Sequence, residues 1–354
     1  LREPRGRIYV NFGDPVVVAT APDPEDKLAL SKIAFEVAVR ANRVTPFTLN
    51  SLICLALLGC APRGLTVREL RAVIRYLLGW GKARGIRICR GLEDTDLDSQ
   101  EPVMQALQNS GLFIRYDLGS ETVFAVEPAR HPMASYYRNT IIHHFLSRAI
   151  IELSLLKASE LLSQPSRELF WQETERLRDL FKFEFYYPEK EVFRTELEAE
   201  LGRTDPDWEA KLDAGDAGLR SLTNHFQPLM GHAVFLPLAE AYTIVFDILE
   251  GLDPGVSLDQ NACIDMALRE GRQAYLLRRI TSEASIAKLL FENGYRLAEH
   301  LKLAGESTVE TKAARKALLR EFRALSRRME RSRLECLRFV DRFFEQEEHD
   351  DTEQ

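Results

Sequence analysis

The sequence predicts a mainly α protein, a helical bundle carrying one small winged-helix-like β-hairpin. Three observations predict it. Apolar residues recur at helical spacing along most of the chain, bracketed by residues that start and stop helices. Two short alternating runs, 112–116 and 122–126, are joined by Asp117-Leu-Gly-Ser-Glu121 and read as a hairpin. The composition, 45% hydrophobic and 29% charged over 354 residues, is that of a globular chain of about two domains.

The first element is a β-rich run at residues 7–13, closed by the turn Gly13-Asp14-Pro15. No second strand follows for about a hundred residues, so the sheet this strand completes is expected outside the sequence. Helices are predicted at 26–42 and at 47–58, the latter with Pro46 in its first turn and apolar on nearly all sides. Thr66-Val-Arg-Glu69 is a capping box opening a helix to about residue 84. A helix at 101–109 and the hairpin then complete the winged-helix order. Arg68, Arg71 and Arg75 share one side of the capped helix and read as a solvated face.

Residues 134–162 give the strongest helical signal and are expected to form one continuous, largely buried helix. Further helices are predicted at 166–183, 188–201, 219–230, 235–249, 258–279 and 285–303, with 203–218 as a loop and boundary. After Gly305 a charged helix carries the seam Leu318, Phe322, Leu325, Met329, Cys336, Phe339 and Phe343, interrupted at Ser332. Residues 312–342 hold eleven Lys and Arg against four Asp and Glu, and the last ten residues hold six acids. The expected divisions are a closing strand at 1–22, a helical region with the winged-helix-like module at 23–203, a second bundle region at 204–304, and the basic amphipathic helix with its acidic tail at 305–354.

Net charge is −7, and the helix at 101–109 contains no Lys or Arg, so no nucleic-acid partner is expected. The five cysteines contain no C-x-x-C pair and suit core thiols of a reducing compartment. The apolar runs at 51–59 and 233–249 read as too short to span a bilayer, the second being interrupted by Glu240 and Asp247.

Three blocks carry a family resemblance. They are Gly6-Arg-Ile-Tyr-Val-Asn-Phe-Gly-Asp-Pro15, then Tyr136-Tyr-Arg-Asn-Thr-Ile-Ile-His143, then Gly271-Arg-Gln-Ala-Tyr-Leu-Leu-Arg-Arg-Ile-Thr-Ser-Glu-Ala-Ser-Ile286 with Leu289-Leu-Phe-Glu-Asn-Gly294. In that order they resemble the C-terminal region of glycerol-3-phosphate 1-O-acyltransferases of the bacterial and mitochondrial type. The resemblance implies acyl transfer from acyl-CoA or acyl carrier protein to glycerol 3-phosphate, giving lysophosphatidic acid for phospholipid synthesis. It also implies peripheral attachment at the cytoplasmic face of the cell membrane. Gly13, Asp14, Pro15, Tyr136, Tyr137, Arg138, Asn139 and His143 are its structural matches.

The family's chemistry uses a histidine base spaced H-x-x-x-x-D and an arginine-containing phosphate block. None of the seven histidines here has Asp at the fifth position. Glu270-Gly-Arg272 sits inside a helical pattern and does not form such a block. No catalytic, cofactor or metal residue is therefore assigned. The chain reads as a fragment: the non-catalytic C-terminal part of the acyltransferase, bracing the catalytic domain and its membrane contact. The alternative is a helical scaffolding or regulatory protein with a protein-binding winged-helix-like module.

On a continuous helix Asn139 and His143 would share a face with Tyr136, either touching the catalytic domain or buried in hydrogen bonds. His143 and His144 would point roughly 100° apart, too far to hold one metal. Arg320, Arg323, Arg327 and Arg331 on the last helix are candidates for contact with an anionic membrane or a partner. Packing of that helix on the bundle and coiled-coil pairing are its other readings.

Overall fold

Helices this short hold only where their apolar faces are covered, and here the cover divides into two compact units. The computed structural model describes residues 9–22, 25, 29–160 and 165–352, without the side chains of 29, 31, 32 and 342–352. One unit comprises residues 1–57, 62–127 and 133–144; the other comprises 58–61, 128–132 and 145–354.

The first unit begins with an extended segment. Residues 9–13 form no strand, and residues 7 and 8 of the expected strand lie outside the described residues. An isolated β-run has no ladder to join, and Val10 and Phe12 stay 71% and 84% exposed. Helix α1 (Ala29–Arg43) is followed by α2 (Leu49–Cys60), which starts later than Pro46 suggested. Phe47 instead bridges to Ile88, and Thr48 caps the helix. Its Oγ1 accepts from the Ser51 N–H at 3.2 Å while the Ser51 hydroxyl accepts from the Thr48 N–H at 3.1 Å.

Strand β1 (Leu65–Thr66) enters α3 (Val67–Lys82) through the expected capping box, with Glu69 Oε2 accepting from the Thr66 N–H at 2.7 Å. The short α4 (Arg90–Glu93) and α5 (Glu101–Asn109) lead to β2 (Phe113–Tyr116) and β3 (Val123–Val126). The antiparallel sheet has the order β1-β3-β2, with Leu65 opposite Phe124 and Ile114 opposite Ala125. This is the winged-helix layout, and Leu52, Leu70, Ile74, Val103 and Phe124 fill its core. Arg75 is exposed and Arg68 and Arg71 are half-buried, and two of the three also hold the loop before α5: Arg71 Nε donates to the Leu97 carbonyl at 2.9 Å and Arg75 Nη2 at 3.0 Å.

Residues 134–162 are not one helix. Helix α6 (His131–Asn139) ends, a 3-10 turn runs over Ile142–Phe145, and α7 (Leu146–Ala158) starts afresh; residues 161–164 lie outside the described residues. The Thr140 hydroxyl donates to the Tyr137 carbonyl at 2.7 Å and competes for the helical acceptor, at the head of the β-branched run Thr140-Ile-Ile142. With α6 ending at Asn139, His143 is not one turn further along the same helix, and the shared face expected of a continuous helix does not apply.

The second unit adds α8 (Ser166–Leu180) and α9 (Lys190–Thr204), then α10 (Trp208–Asp213), where a loop was expected, and α11 (Gly215–His225), which begins before the helix expected from residue 219. Asp-Pro and glycine signals at 203–218 hide a periodic apolar set, and Trp208, Leu212, Leu219 and Leu222 are buried. At the centre lies α12 (Gly231–Glu250), flanked by α13 (Gln260–Leu276), α14 (Lys288–His300) and α15 (Val309–Thr352). By length and composition α12 is long and apolar enough to cross a membrane, which corrects the sequence reading. Most of its side chains are buried inside the unit, as those of a core helix are.

Helix α15 packs its seam against α12: Phe322 stacks on Phe246 at 5.6 Å, and Leu318, Leu325, Met329 and Cys336 are buried. Packing within the chain therefore takes the apolar face, and Arg320, Arg323, Arg327 and Arg331 lie exposed outside the seam, with Arg323 reaching Asp247 of α12. Ser332, the break in the seam, binds His232 Nδ1 at 3.1 Å, and His232 Nε2–H donates to the Gly59 carbonyl at 3.0 Å.

An ion pair with almost no exposure holds the entry to α12. Arg148 Nε meets Glu152 Oε1 at 2.8 Å, and Arg148 Nη2 also donates to the carbonyls of Phe226 and Pro228. Glu152 Oε2 accepts from the N–H groups of Met230 and Gly231 at 2.6 and 2.7 Å. A Cβ on Gly231 would lie 2.9 Å from Leu153 Cγ, so only glycine lets the helix start this close to α7. Arg315, fully buried, caps the end of α12 and holds the loop after α14 by donating to the carbonyls of Leu249, Leu303 and Gly305. Replacing Glu152 with Ala strands the Arg148 charge and two helix-start N–H groups, so urea unfolding is expected to show a loss of about 3–5 kcal/mol.

Candidate functional site

Two of the three resemblance blocks meet at one turn of the first unit. Residues 42–47 connect α1 to α2, and their carbonyls serve as acceptors for both blocks. From the N-terminal block, Asn11 Nδ2 donates to Val44 O at 3.3 Å, and Arg40, just before the turn, donates to the Pro15 carbonyl. A Cβ on Gly13 would sit 3.1 Å from Arg40 O and 3.4 Å from Val44 Cγ1, so glycine permits this approach. Asp14 beside it is exposed.

From the second block, His143 Nε2–H donates to Asn42 O at 2.7 Å and His144 Nε2–H to Thr45 O at 2.9 Å. The 3-10 turn brings the two rings to 3.9 Å instead of splaying them, which corrects the helical expectation. Each Nε2 is committed to a different carbonyl, so the pair is a clamp on the turn. Burial, with the neighbouring His144 ring second, pushes the His143 pKa down to about 4. Burial also lowers that of His144.

The remaining matches lie on α6. Tyr136 is 68% exposed and meets the Tyr137 ring edge-on at 5.8 Å. Arg138 is buried, with Nε and Nη2 donating to Asn139 Oδ1 at 3.1 and 2.9 Å and no carboxylate partner among the described residues. Burial lowers its pKa to about 10.

The third block forms a wall of a cleft in the second unit. The cleft has a volume of about 810 Å³, within the ~300–1,000 Å³ of small-molecule sites. Ile244 and Ile248 of α12, Met266 of α13 and Ile280 make its apolar floor, and Arg279, Arg323 and Arg327 stand at its mouth. Glu240 organises the wall: its carboxylate accepts from the Thr281 N–H at 2.7 Å, the Thr281 hydroxyl at 2.9 Å and the Ser285 hydroxyl at 2.6 Å. Burial raises the Glu240 pKa against those hydrogen bonds. Asp247 pairs with Arg323 at 2.7 Å, and burial raises its pKa against the pull of Arg323. Sequence reasoning noted Glu240 and Asp247 as interruptions of an apolar run. A carboxylate inside such a run was the available signal for this wall.

A histidine–carboxylate pair does form from positions twenty apart: His225 Nδ1 lies 2.5 Å from Asp205 Oδ2. The same oxygen takes Lys211 Nζ at 2.6 Å, and Asp205 Oδ1 accepts from the Asp207 N–H. Neither His225 nor Asp205 lines the cleft of the third block or the two smaller ones described. The pair ties the end of α11 to the α9–α10 turn. Among the described residues no group of three or more His, Cys, Asp or Glu could hold a metal ion.

Residues 1–307 match the family model described as the glycerol-3-phosphate acyltransferase C-terminal region. The chain is 31% identical over 333 residues to the putative acyltransferase plsB1 of Mycobacterium bovis, and equally to that of Mycobacterium tuberculosis. The alignment covers 92% of this chain and 53% of those proteins, so the chain spans about half the length of the curated relatives it matches.

Because the His143 pKa is depressed on folding, its contribution is complete above the unfolded value of 6.5 and is lost as pH falls towards about 4. His143→Gln keeps a donor for Asn42 O and removes the titration. The difference in thermal midpoint between the native chain and H143Q is expected to shift in favour of H143Q between pH 6.5 and 4, read by circular dichroism.

Proposed function

The chain belongs to the glycerol-3-phosphate acyltransferase family, through its C-terminal region, and on that premise we propose that it supports acyl transfer without performing it. In the complete enzyme the reaction is attack of the 1-hydroxyl of glycerol 3-phosphate on the thioester of acyl-CoA or acyl carrier protein, giving lysophosphatidic acid for phospholipid synthesis. Deprotonating that hydroxyl needs a positioned base. Four of the seven histidines are instead spent on structure: His143 and His144 clamp a turn, His232 pins α15, and His225 ties a helix end.

The observation that carries the bracing role is the N-terminal block. It is anchored to the turn at 42–47 by Asn11, Gly13 and Pro15, while Val10, Phe12 and Val17 are left 71%, 84% and 81% exposed. A tethered extended segment with bare apolar side chains suits a partner that adds strands and cover. Arg138, buried without a carboxylate partner among the described residues, offers the same partner a place for an anion.

A peripheral membrane role at the cytoplasmic face rests on α15. Its exposed Arg320, Arg323, Arg327 and Arg331 recur along one side of the helix, and each cation near an anionic surface contributes about 1 kcal/mol. The winged-helix-like module supports the second reading, a scaffolding protein. Sequence encoded immediately upstream of Leu1 separates the two: an open frame with H-x-x-x-x-D is expected for the enzyme part, and a start codon at Leu1 supports the scaffold. Incubated with acyl-CoA and glycerol 3-phosphate, the purified 354-residue chain is expected to release thiol no faster than a protein-free blank; robust turnover defeats the supporting role.

A further inference from the structure

We propose that the cleft between α12, α13 and α15 seats one anionic phospholipid drawn from a bilayer surface. This deepens the membrane reading of α15 and rests on it. The floor is Ile244, Ile248, Met266 and Ile280, an apolar bed for an acyl chain. The mouth carries three guanidinium groups, and those of Arg279 and Arg327 have no ion-pair partner among the described residues. Arginine forks match phosphate oxygens in pairs, so an anionic headgroup over an acyl chain meets both halves of the site.

The cleft's acids do not cancel this. Glu240 is buried and fully engaged with Thr281 and Ser285, Asp247 is paired with Arg323, and Glu270 lies on the exposed rim. Asp247 and Arg323 form a half-exposed pair, so a phosphate reaching Arg323 can replace Asp247 as its partner.

What selects a bilayer over a soluble anion is the turn that follows α13. Between Ala274 and Arg279, both in the cleft lining, Leu276 and Leu277 are 73% and 52% exposed. The turn closes α13 with Arg279 N–H donating to Ala274 O at 2.8 Å and with Arg278 at φ 57°, the left-handed position that glycine usually fills. Two leucines held out by a rigid turn, flanked by Arg278 and Arg279, form an interfacial anchor: apolar tips enter the acyl boundary while cations meet headgroup phosphates. The outward arginines of α15 continue the cationic line from Arg327 to Arg331.

The test uses the purified chain, monomeric dihexanoyl phosphatidylglycerol with dihexanoyl phosphatidylcholine as the zwitterionic control, and vesicles of phosphatidylcholine with and without phosphatidylglycerol. The short anionic lipid is expected to bind one to one by calorimetry, and the zwitterionic one to bind more weakly. Arg279→Gln and Arg327→Gln are each expected to cost roughly tenfold in affinity. Ala274→Phe, which fills the cleft, is expected to abolish short-lipid binding while co-sedimentation with anionic vesicles persists through the α15 arginines. Leu276→Ser with Leu277→Ser is expected to do the reverse. If Ala274→Phe fails to fold, judged by circular dichroism, the two arginine variants decide. No uptake of the short lipid, affinity unchanged in the arginine variants, or displacement by inorganic phosphate at equal potency overturns the cleft while leaving the membrane face standing. Uptake of the short lipid without vesicle binding overturns the bilayer as its source, and with it the membrane reading.

Discussion

The second unit depends on one buried ion pair. Arg148 and Glu152 sit on consecutive turns of α7 and stabilise each other, yet their remaining hydrogen-bonding capacity goes to the segment 226–231 and the first turn of α12. A carboxylate at a helix N-terminus satisfies donors that have no intrahelical acceptor and meets the positive end of the dipole. The guanidinium does the complementary task for two carbonyls. Since α12 is the helix against which α13, α14 and α15 pack, the orientation of every later element follows from how this pair sets its first turn. Hydrophobic residues of equal volume could fill the space without orienting the chain, which is the physical reason for accepting the desolvation penalty.

Side-chain caps recur as the method of construction. Arg315 gathers three carbonyls, Glu240 gathers three donors from the segment 281–285, and His143 and His144 gather two carbonyls of the α1–α2 turn. Long polar side chains thus hold irregular backbone that no strand or helix would satisfy. The three separated stretches that resemble the acyltransferase family lie at two of these reinforced places: the turn at 42–47 and the wall of the cleft.

Much of this was legible beforehand. The capping box at Thr66, the hairpin, most of the long helices and the seam of α15 all announce themselves through local chemistry or periodicity. Three features did not. The break after Asn139 was hidden because apolar periodicity runs straight through it, and only the competition from the Thr140 hydroxyl and the β-branched run ends the helix. The helix at 208–213 and the first turn of α11 were masked by Asp-Pro and glycine, whose turn signals outweighed Trp208 and Leu212. The acceptors of the histidines are backbone carbonyls, which carry no residue identity, so no sequence pattern could have paired His143 with Asn42 or His144 with Thr45. The cleft was half visible, since Arg323, Arg327 and its interrupting carboxylates were noted, but nothing local said that they converge.

Ser332 has a consequence for how α15 can be placed. A seam of leucine, phenylalanine and methionine is nearly self-similar after seven residues, so an uninterrupted one permits a shift of two turns at modest cost. The hydroxyl removes that freedom, because sliding would pull it away from His232 and leave a buried imidazole facing carbon, with its opposite nitrogen still bound to Gly59. The longest helix of the chain is thereby indexed to a single notch, and the spacing of its outward arginines is inherited from that alignment.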